Sequence, residues 1–348
     1  MYAKGQTTDH FPALRELKWS IFIVINHLKD ITMGQINNIF KIAAARATPV
    51  FLDRKATVDK ACDLIGEAGR QGASLIVFPE AFIPAYPDWV WTVPGGKKAL
   101  LNDLYARLIE NAVSIPDEST NKLCRAAKNA KIYVAMGINE RNSDASNASL
   151  YNTILYIDSS GQIMGKHRKL VPTGGERLVW AQGDGSTLDV YDTPFGKLGG
   201  LICWENYMPL ARNAMYAAGT QIYVAPTWDS GETWLASLRH IAKEGGMFVI
   251  GCCMPLHIND IPDQYEFKRL YSQEKEWINP GNSCVISPDG KIIAGPVNMK
   301  EELILAEIDL NLIPASKWIL DVAGHYARPD VFKFTVNREP NLIMRNTS

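Results

Sequence analysis

The hydrophobic rhythm of the chain changes at about residue 39. Residues 1–38 show no clear alternation of elements and read as an extension of uncertain structure. From Ile39 onward, short apolar runs alternate with helical spacings. FKIAAARATPV (40–50) reads as a strand. TVDKACDLIGEAGRQG (57–72) carries apolar residues at helical spacing, with Thr57 as a candidate cap and Gly69 and Gly72 near its end. SLIVFPE (74–80) is a short buried strand stopped at Pro79. An aromatic loop, FIPAYPDWVWTVPGG (82–96), leads into helices over about 97–112 and 119–130, and KIYVAMGINE (131–140) is a further strand.

LYNTILYIDSSGQIMGKHR, STLDVYDTPFGKLGGLIC and NSCVISPDGKIIAGP are built alike, as candidate hairpins. In each, a polar turn containing Gly separates two β-rich runs. Between them PLARNAMYAAG and GETWLASLRHIAKEGG read as helices, followed by strands TQIYVAP and MFVIGCC. Strand–helix alternation mixed with antiparallel hairpins predicts packed sheets with helices outside. No linker rich in Pro, Gly or Ser cuts 39–337, which predicts one domain there and a short tail over 338–348.

Composition adds mainly exclusions. With 348 residues, 47% hydrophobic and 21% charged, the chain can bury a large core. A net charge of −1 lacks the electrostatic footprint of a nucleic-acid binder. The apolar stretch IFIVI (21–25) is too short to cross a bilayer, and Asp9 and Glu16 before it fit a signal peptide poorly. Six cysteines are scattered without zinc-ligand spacing, so no structural metal is expected, and free thiols point to a reducing, cytoplasmic setting.

Four polar residues stand at the ends of apolar runs or in the loops beyond them. Glu80 follows SLIVFP, Lys169 closes GKHRK, Glu176 lies seven residues further across Pro-Thr-Gly-Gly, and Cys203 ends GGLIC. Taken singly, each has an ordinary structural reading: a cap, a solvated charge, an ion-pair partner and a packed thiol. Together they make a workable reaction site. A thiolate is an effective nucleophile, an ammonium lowers thiol pKa, and a carboxylate can take the thiol proton and later activate water. A helix beginning after Cys203 would add free N–H groups near the strand end. The rival reading is a Cys–His hydrolase, but none of His10, His27, His167, His240, His257 and His325 sits in a motif tied to Cys203.

LIVFPEAFIPAYP, GKHRKLVPTGGERLVW and LGGLICWENYMPLAR, in that order, resemble the nitrilase branch of the carbon–nitrogen hydrolase superfamily. VFLDRKATVDKAC (50–62) and GHYARPDVF (324–332) do so too, and the likeness runs over about 41–337. The resemblance implies an α/β fold, a four-layer α-β-β-α sandwich, with subunits pairing as homodimers and assembling further. It maps the family's Glu, Lys and Cys onto Glu80, Lys169 and Cys203, and its second glutamate onto Glu176. It implies hydrolysis of a small-molecule nitrile to the carboxylic acid and ammonia through a Cys203 thioimidate and thioester, with no metal or organic cofactor. CWEN rather than CWEH looks closer to plant-like, broad-range members. Tyr86, Trp204 and Trp228 are candidate pocket-lining residues, since each follows a strand end near a site residue. An amidase of the same superfamily would use the same residues, and a non-catalytic, filament-forming protein on this fold is the rival from another class. One departure is Arg46, where the family's first strand usually carries Gln; a charge there could perturb the strand's packing or an interface.

Overall fold

The structure is a computed structural model that describes residues 38–342, apart from 144, 145, 272, 273 and 275. Residues 1–37 of the extension expected over 1–38, and residues 343–348 of the tail, lie outside the described residues.

The strands are, in chain order, β1 (Ile39–Arg46), β2 (Ala73–Val77), β3 (Tyr133–Arg141), β4 (Leu150–Ile157), β5 (Ile163–Arg168), β6 (Tyr191–Thr193) and β7 (Gly196–Gly200). They continue with β8 (Ile222–Thr227), β9 (Phe248–Cys253), β10 (Leu256–His257), β11 (Trp277–Asn279), β12 (Gly281–Ile286), β13 (Ile292–Asn298) and β14 (Glu302–Asp309). The longer helices are α1 (Arg54–Arg70), α2 (Lys98–Glu110), α3 (Glu118–Ala130), α4 (Pro209–Ala217) and α5 (Glu232–Gly245).

Two six-stranded sheets follow one plan. The first runs β14-β1-β2-β3-β4-β5 and the second β13-β12-β9-β8-β7-β6. In each, three parallel strands form the centre (β1, β2 and β3; β7, β8 and β9) and antiparallel strands flank them. All three hairpins expected from the turn pattern form, as β4–β5, β6–β7 and β12–β13.

Period-2 alternation sorts the side chains into layers. Ile42, Ala44, Leu75 and Val77 of the first sheet pack against Ile222, Val224, Ile250 and Val285 of the second. The opposite face of the first sheet, through Ala43, Ala45 and Ile76, meets Val58, Ala61 and Ile65 of α1 and Leu123 and Ala127 of α3. The outer face of the second sheet, through Tyr223, Ala225 and Val249, meets Ala211 and Met215 of α4 and Leu238 and Ile241 of α5. The result is the α-β-β-α sandwich. Each large apolar side chain so buried contributes roughly 1.5–3 kcal/mol.

Two local expectations are corrected. Helix α1 starts at Arg54, with the Asp53 carboxylate accepting from Ala56 N; Thr57 is inside the first turn and donates to Val50 O instead. Asp53 wins because a carboxylate at that position also favours the positive helix end. After Cys203 there is first a short 3₁₀ turn, Cys203–Tyr207, and α4 begins only at Pro209. The helix starts at Pro209, as PLARNAMYAAG predicts, at a proline that fits a first helical turn, but the 3₁₀ turn before it keeps the helix N-terminus away from the thiol.

Arg46 stays in the β1 ladder opposite Glu302. It shares the inward parity of Ile42 and Ala44 and is fully buried. Room for the guanidinium comes from Gly281, where a Cβ would lie 2.8 Å from Arg46 Nε. Its Nη2 donates to Pro280 O at 3.3 Å, while Nε and Nη1 have no hydrogen-bond partner.

Candidate active site

The parallel centres of the two sheets bring their C-terminal strand ends together, the usual place for a site in open α/β sheets. Glu80 lies three residues beyond β2, Cys203 three beyond β7, and Lys169 directly after β5. Glu80 is held there by close backbone passage: a Cβ on Gly137 of β3 would lie 1.9 Å from Pro79 O, so only glycine lets β3 run beneath this turn. Cys203 takes φ +51°, a left-handed conformation that lifts its side chain off the end of β7 into the cleft.

All four site residues expected from the sequence meet, and all are buried. Lys169 Nζ donates to Glu80 Oε1 at 2.9 Å and to Glu176 Oε2 at 2.8 Å. Glu80 Oε1 also accepts from Asn152 Nδ2 at 2.7 Å. Glu80 Oε2 has no hydrogen-bond partner, and the Cys203 thiol is close enough to act on the carboxylate. Glu176 is fixed by Thr173 N at 2.7 Å and by the Tyr86 hydroxyl at 2.8 Å. The Cys203 sulfur accepts from Thr227 Oγ1 at 3.2 Å.

Burial and charge set the protonation of these groups. Burial, and then the negative Glu80, push the Cys203 thiol up to about 12, against the pull of Lys169. Burial raises Glu80 above the ordinary carboxylate range, while Lys169 works the other way. For Lys169 burial opposes the charge, but Glu80, Cys203 and Glu176 outweigh it and hold the ammonium above the ordinary lysine value. At rest the arrangement is a thiol, a firmly charged ammonium and a carboxylate that gains basicity from its burial.

Glu176 and Cys203 line a cavity of about 480 Å³ together with Tyr86, Trp91, Trp204, Trp228, Asp229 and the Thr173–Gly174 turn, and Lys169 and Glu80 are buried next to them, outside that lining. All three aromatic residues named from the sequence line the cavity. Tyr86 stacks on Trp228 with ring centroids 4.5 Å apart and planes within 5°. Trp204, half exposed, donates from Nε1 to Asp229 Oδ2 at 2.7 Å.

Sequence reasoning missed Asn152, Thr227, Trp91, Glu205 and His167. The first two sit mid-strand or at a strand end with no flanking motif. Glu205 and His167 did carry a signal, each being a charged or titratable residue two positions from a site residue. The Cys–His alternative finds no support among the described residues, where none of His167, His240, His257 and His325 bonds Cys203; His10 and His27 lie outside them. His167 places Nε2 against Glu205 Oε2 at 2.9 Å and Nδ1 against Thr187 O at 3.0 Å.

A family model described as carbon–nitrogen hydrolase matches residues 41–317. The chain is 42% identical over 308 residues to the aliphatic nitrilase of Sinorhizobium fredii (strain HH103), covering 86% of this chain and 96% of that one. It is 42% identical over 317 residues to the bifunctional nitrilase/nitrile hydratase NIT4A of Nicotiana tabacum, covering 88% and 89%. Nitrilase 2 of Arabidopsis thaliana is 41% identical over 310 residues, with 87% and 90% covered. Among solved structures, Nit3 of Saccharomyces cerevisiae superposes with a TM-score of 0.65 at 22% identity, covering 83% of this chain and 96% of that one, which speaks to the fold. The chain belongs to the carbon–nitrogen hydrolase family, on the branch that holds these nitrilases.

Proposed function

We propose that the protein hydrolyses an organic nitrile to its carboxylic acid and ammonia, with Cys203 as nucleophile. The observation that carries the chemistry is the buried contact of Lys169 with both Glu80 and Glu176 beside the Cys203 thiol. The likeness to nitrilases over most of the chain carries the choice of substrate.

In this reading Glu80 takes the thiol proton as sulfur adds to the nitrile carbon, and that proton passes to the nitrile nitrogen to give a thioimidate. Lys169 holds the charge that develops on nitrogen. Water, deprotonated by Glu80, adds to the thioimidate carbon; the C–N bond breaks, ammonia leaves, and a thioester remains. A second water breaks the C–S bond and frees the acid and the thiol. Glu176 keeps Lys169 aimed, and is itself aimed by Tyr86 and the Thr173 amide. The aromatic walls suit a nitrile with an apolar side chain.

The test is a panel of nitriles and the matching amides, scored for ammonia, acid and amide. Acid and ammonia from nitriles are expected; turnover of amides alone would sink the reading in favour of an amidase. A homo-oligomer is also proposed, supported by the exposed Trp318, Ile319, Tyr326 and Phe332 of the C-terminal segment. Light scattering at micromolar concentration should return more than a monomer. Six free cysteines support a cytoplasmic setting. No described helix is long and apolar enough to cross a membrane.

A further inference from the structure

One buried carboxylate ties the segment carrying Lys169 to the segment carrying Cys203. Glu205 is two residues beyond the nucleophile and lies outside the cavity lining. Its Oε1 accepts from Leu170 N at 2.8 Å, the amide next to Lys169. Its Oε2 accepts from Ile202 N at 2.9 Å, the amide just before Cys203. Both oxygens also meet His167 Nε2, at 3.1 and 2.9 Å. His167 in turn is two residues before Lys169, and its Nδ1 lies 3.0 Å from Thr187 O.

The partners decide the protonation. The nearer partner of Nδ1 is the Thr187 carbonyl at 3.0 Å, ahead of the Thr187 hydroxyl at 3.5 Å, and Nε2 faces a carboxylate; neither of these nearer partners has a proton to give. Both ring nitrogens therefore carry hydrogen, and the pair is an imidazolium against an ionised glutamate. Burial disfavours the charge on each, yet each partner overcomes this for the other, so His167 is held above and Glu205 below its ordinary value.

A buried ion pair of this kind is weak evidence for stability, because desolvation offsets much of the attraction. What it does supply here is registration. Glu205 binds one amide from each catalytic segment, and those segments come from different sheets, β5 of the first and β7 of the second. We propose that Glu205 and His167 are positioning residues that hold Cys203 and Lys169 at reacting distance. Neither touches the substrate; they act through the two main-chain segments that they join.

This proposal rests on Cys203 as the nucleophile, and the experiment separates the two ideas. Glu205→Gln keeps the shape but puts an NH₂ where an oxygen accepted, so one of the three donors loses its acceptor. The expected result is a folded protein whose kcat falls about 100-fold with KM within about threefold, the pattern of a misplaced rather than a missing group. Alkylation of Cys203 by iodoacetamide, which needs no nitrile, should slow by about fivefold or more as the sulfur leaves its place beside Lys169. His167→Gln retains a neutral donor towards Glu205 and should lose about tenfold in kcat. A folded Glu205→Gln protein with wild-type kcat and wild-type alkylation overturns the proposal. If Glu205→Gln does not fold, His167→Gln decides by the same two readouts, and wild-type values there overturn it. A wild-type protein that turns over no nitrile, yet whose alkylation responds to Glu205→Gln, leaves the positioning role standing and rejects the nitrilase reading.

Discussion

At Cys203 the backbone is left-handed, at φ +51°, in a residue with no glycine-like freedom. Such a conformation costs on the order of 1–3 kcal/mol and persists only where neighbouring structure enforces it. Here the enforcing bonds are local. Asn206 Nδ2 donates to Leu201 O and Cys203 O, and Glu205 takes Ile202 N. Cys203→Ala keeps this backbone and should abolish hydrolysis, on the order of 10⁴-fold or more, with the melting temperature little changed. Residual activity near wild type would remove Cys203 from the mechanism. Thr227 offers a finer test, because its hydroxyl donates to the sulfur and favours the thiolate. Thr227→Val removes that donor, so the pH profile of Cys203 alkylation should move further up from an already raised thiol. A downward move would contradict the assignment. The four central residues were readable because each stands in its own phrase, at the end of an apolar run or in the loop beyond. Thr227 and Asn152 were not, since their roles come from partners 24 and 72 residues away.

Strands and helices were legible wherever local physics decides them. The period of two, the helical spacing and the Gly-containing turns anticipated β1 to β9, the β12–β13 hairpin and all five longer helices. What local pattern does not contain is lateral pairing across the sequence. β14 joins β1 over eight register pairs, Ile39↔Asp309 through Arg46↔Glu302, and nothing in either strand announces the other. Close contacts make two elements testable. Gly137→Ala drives a Cβ into Pro79 O, so β3 or the Glu80 turn must shift. Overpacking of this kind costs about 1–3 kcal/mol, and because Glu80 rides on that turn, kcat should fall by more than the loss of stability explains. Activity of the folded fraction at the wild-type level would refute the coupling. Arg46→Gln, by contrast, removes a buried guanidinium with two unsatisfied nitrogens. Its burial already pulls its pKa down, against Glu302. The variant should be more stable by about 1–2 kcal/mol in a denaturant melt. A less stable variant would show that Arg46 contributes through its contacts along β1.

For the molecule as a whole, buried carboxylates set the response to acid. Burial raises Glu140, but Arg168 and Lys166 outweigh it, and Glu140 stays below its ordinary value. Glu205 is lowered likewise, with His167 overcoming burial. A carboxylate with a depressed folded pKa contributes stability that is present above the unfolded value, here 4.5, and lost as pH falls through the folded one. His167 has the opposite sign: its share is full below 6.5 and fades as pH rises through its raised folded value. Glu80, raised in the fold, works against the acid trend. The melting temperature should therefore drop below about pH 4.5, and Glu140→Gln should make that drop shallower. An unchanged slope would move the acid sensitivity elsewhere.

The contact of one ammonium with two carboxylates also bears on how turnover ends. Next to the cavity one ammonium faces two carboxyl groups, an excess of one acidic group. A nitrile arrives neutral, but the acid formed from it departs as an anion, in a dry setting where like charges repel strongly. The site that receives the substrate thus rejects the product, and the carboxylic acid should be a poor inhibitor, with an inhibition constant far above KM. Glu176→Gln would remove the excess acidic group and should turn the released acid into a stronger competitor.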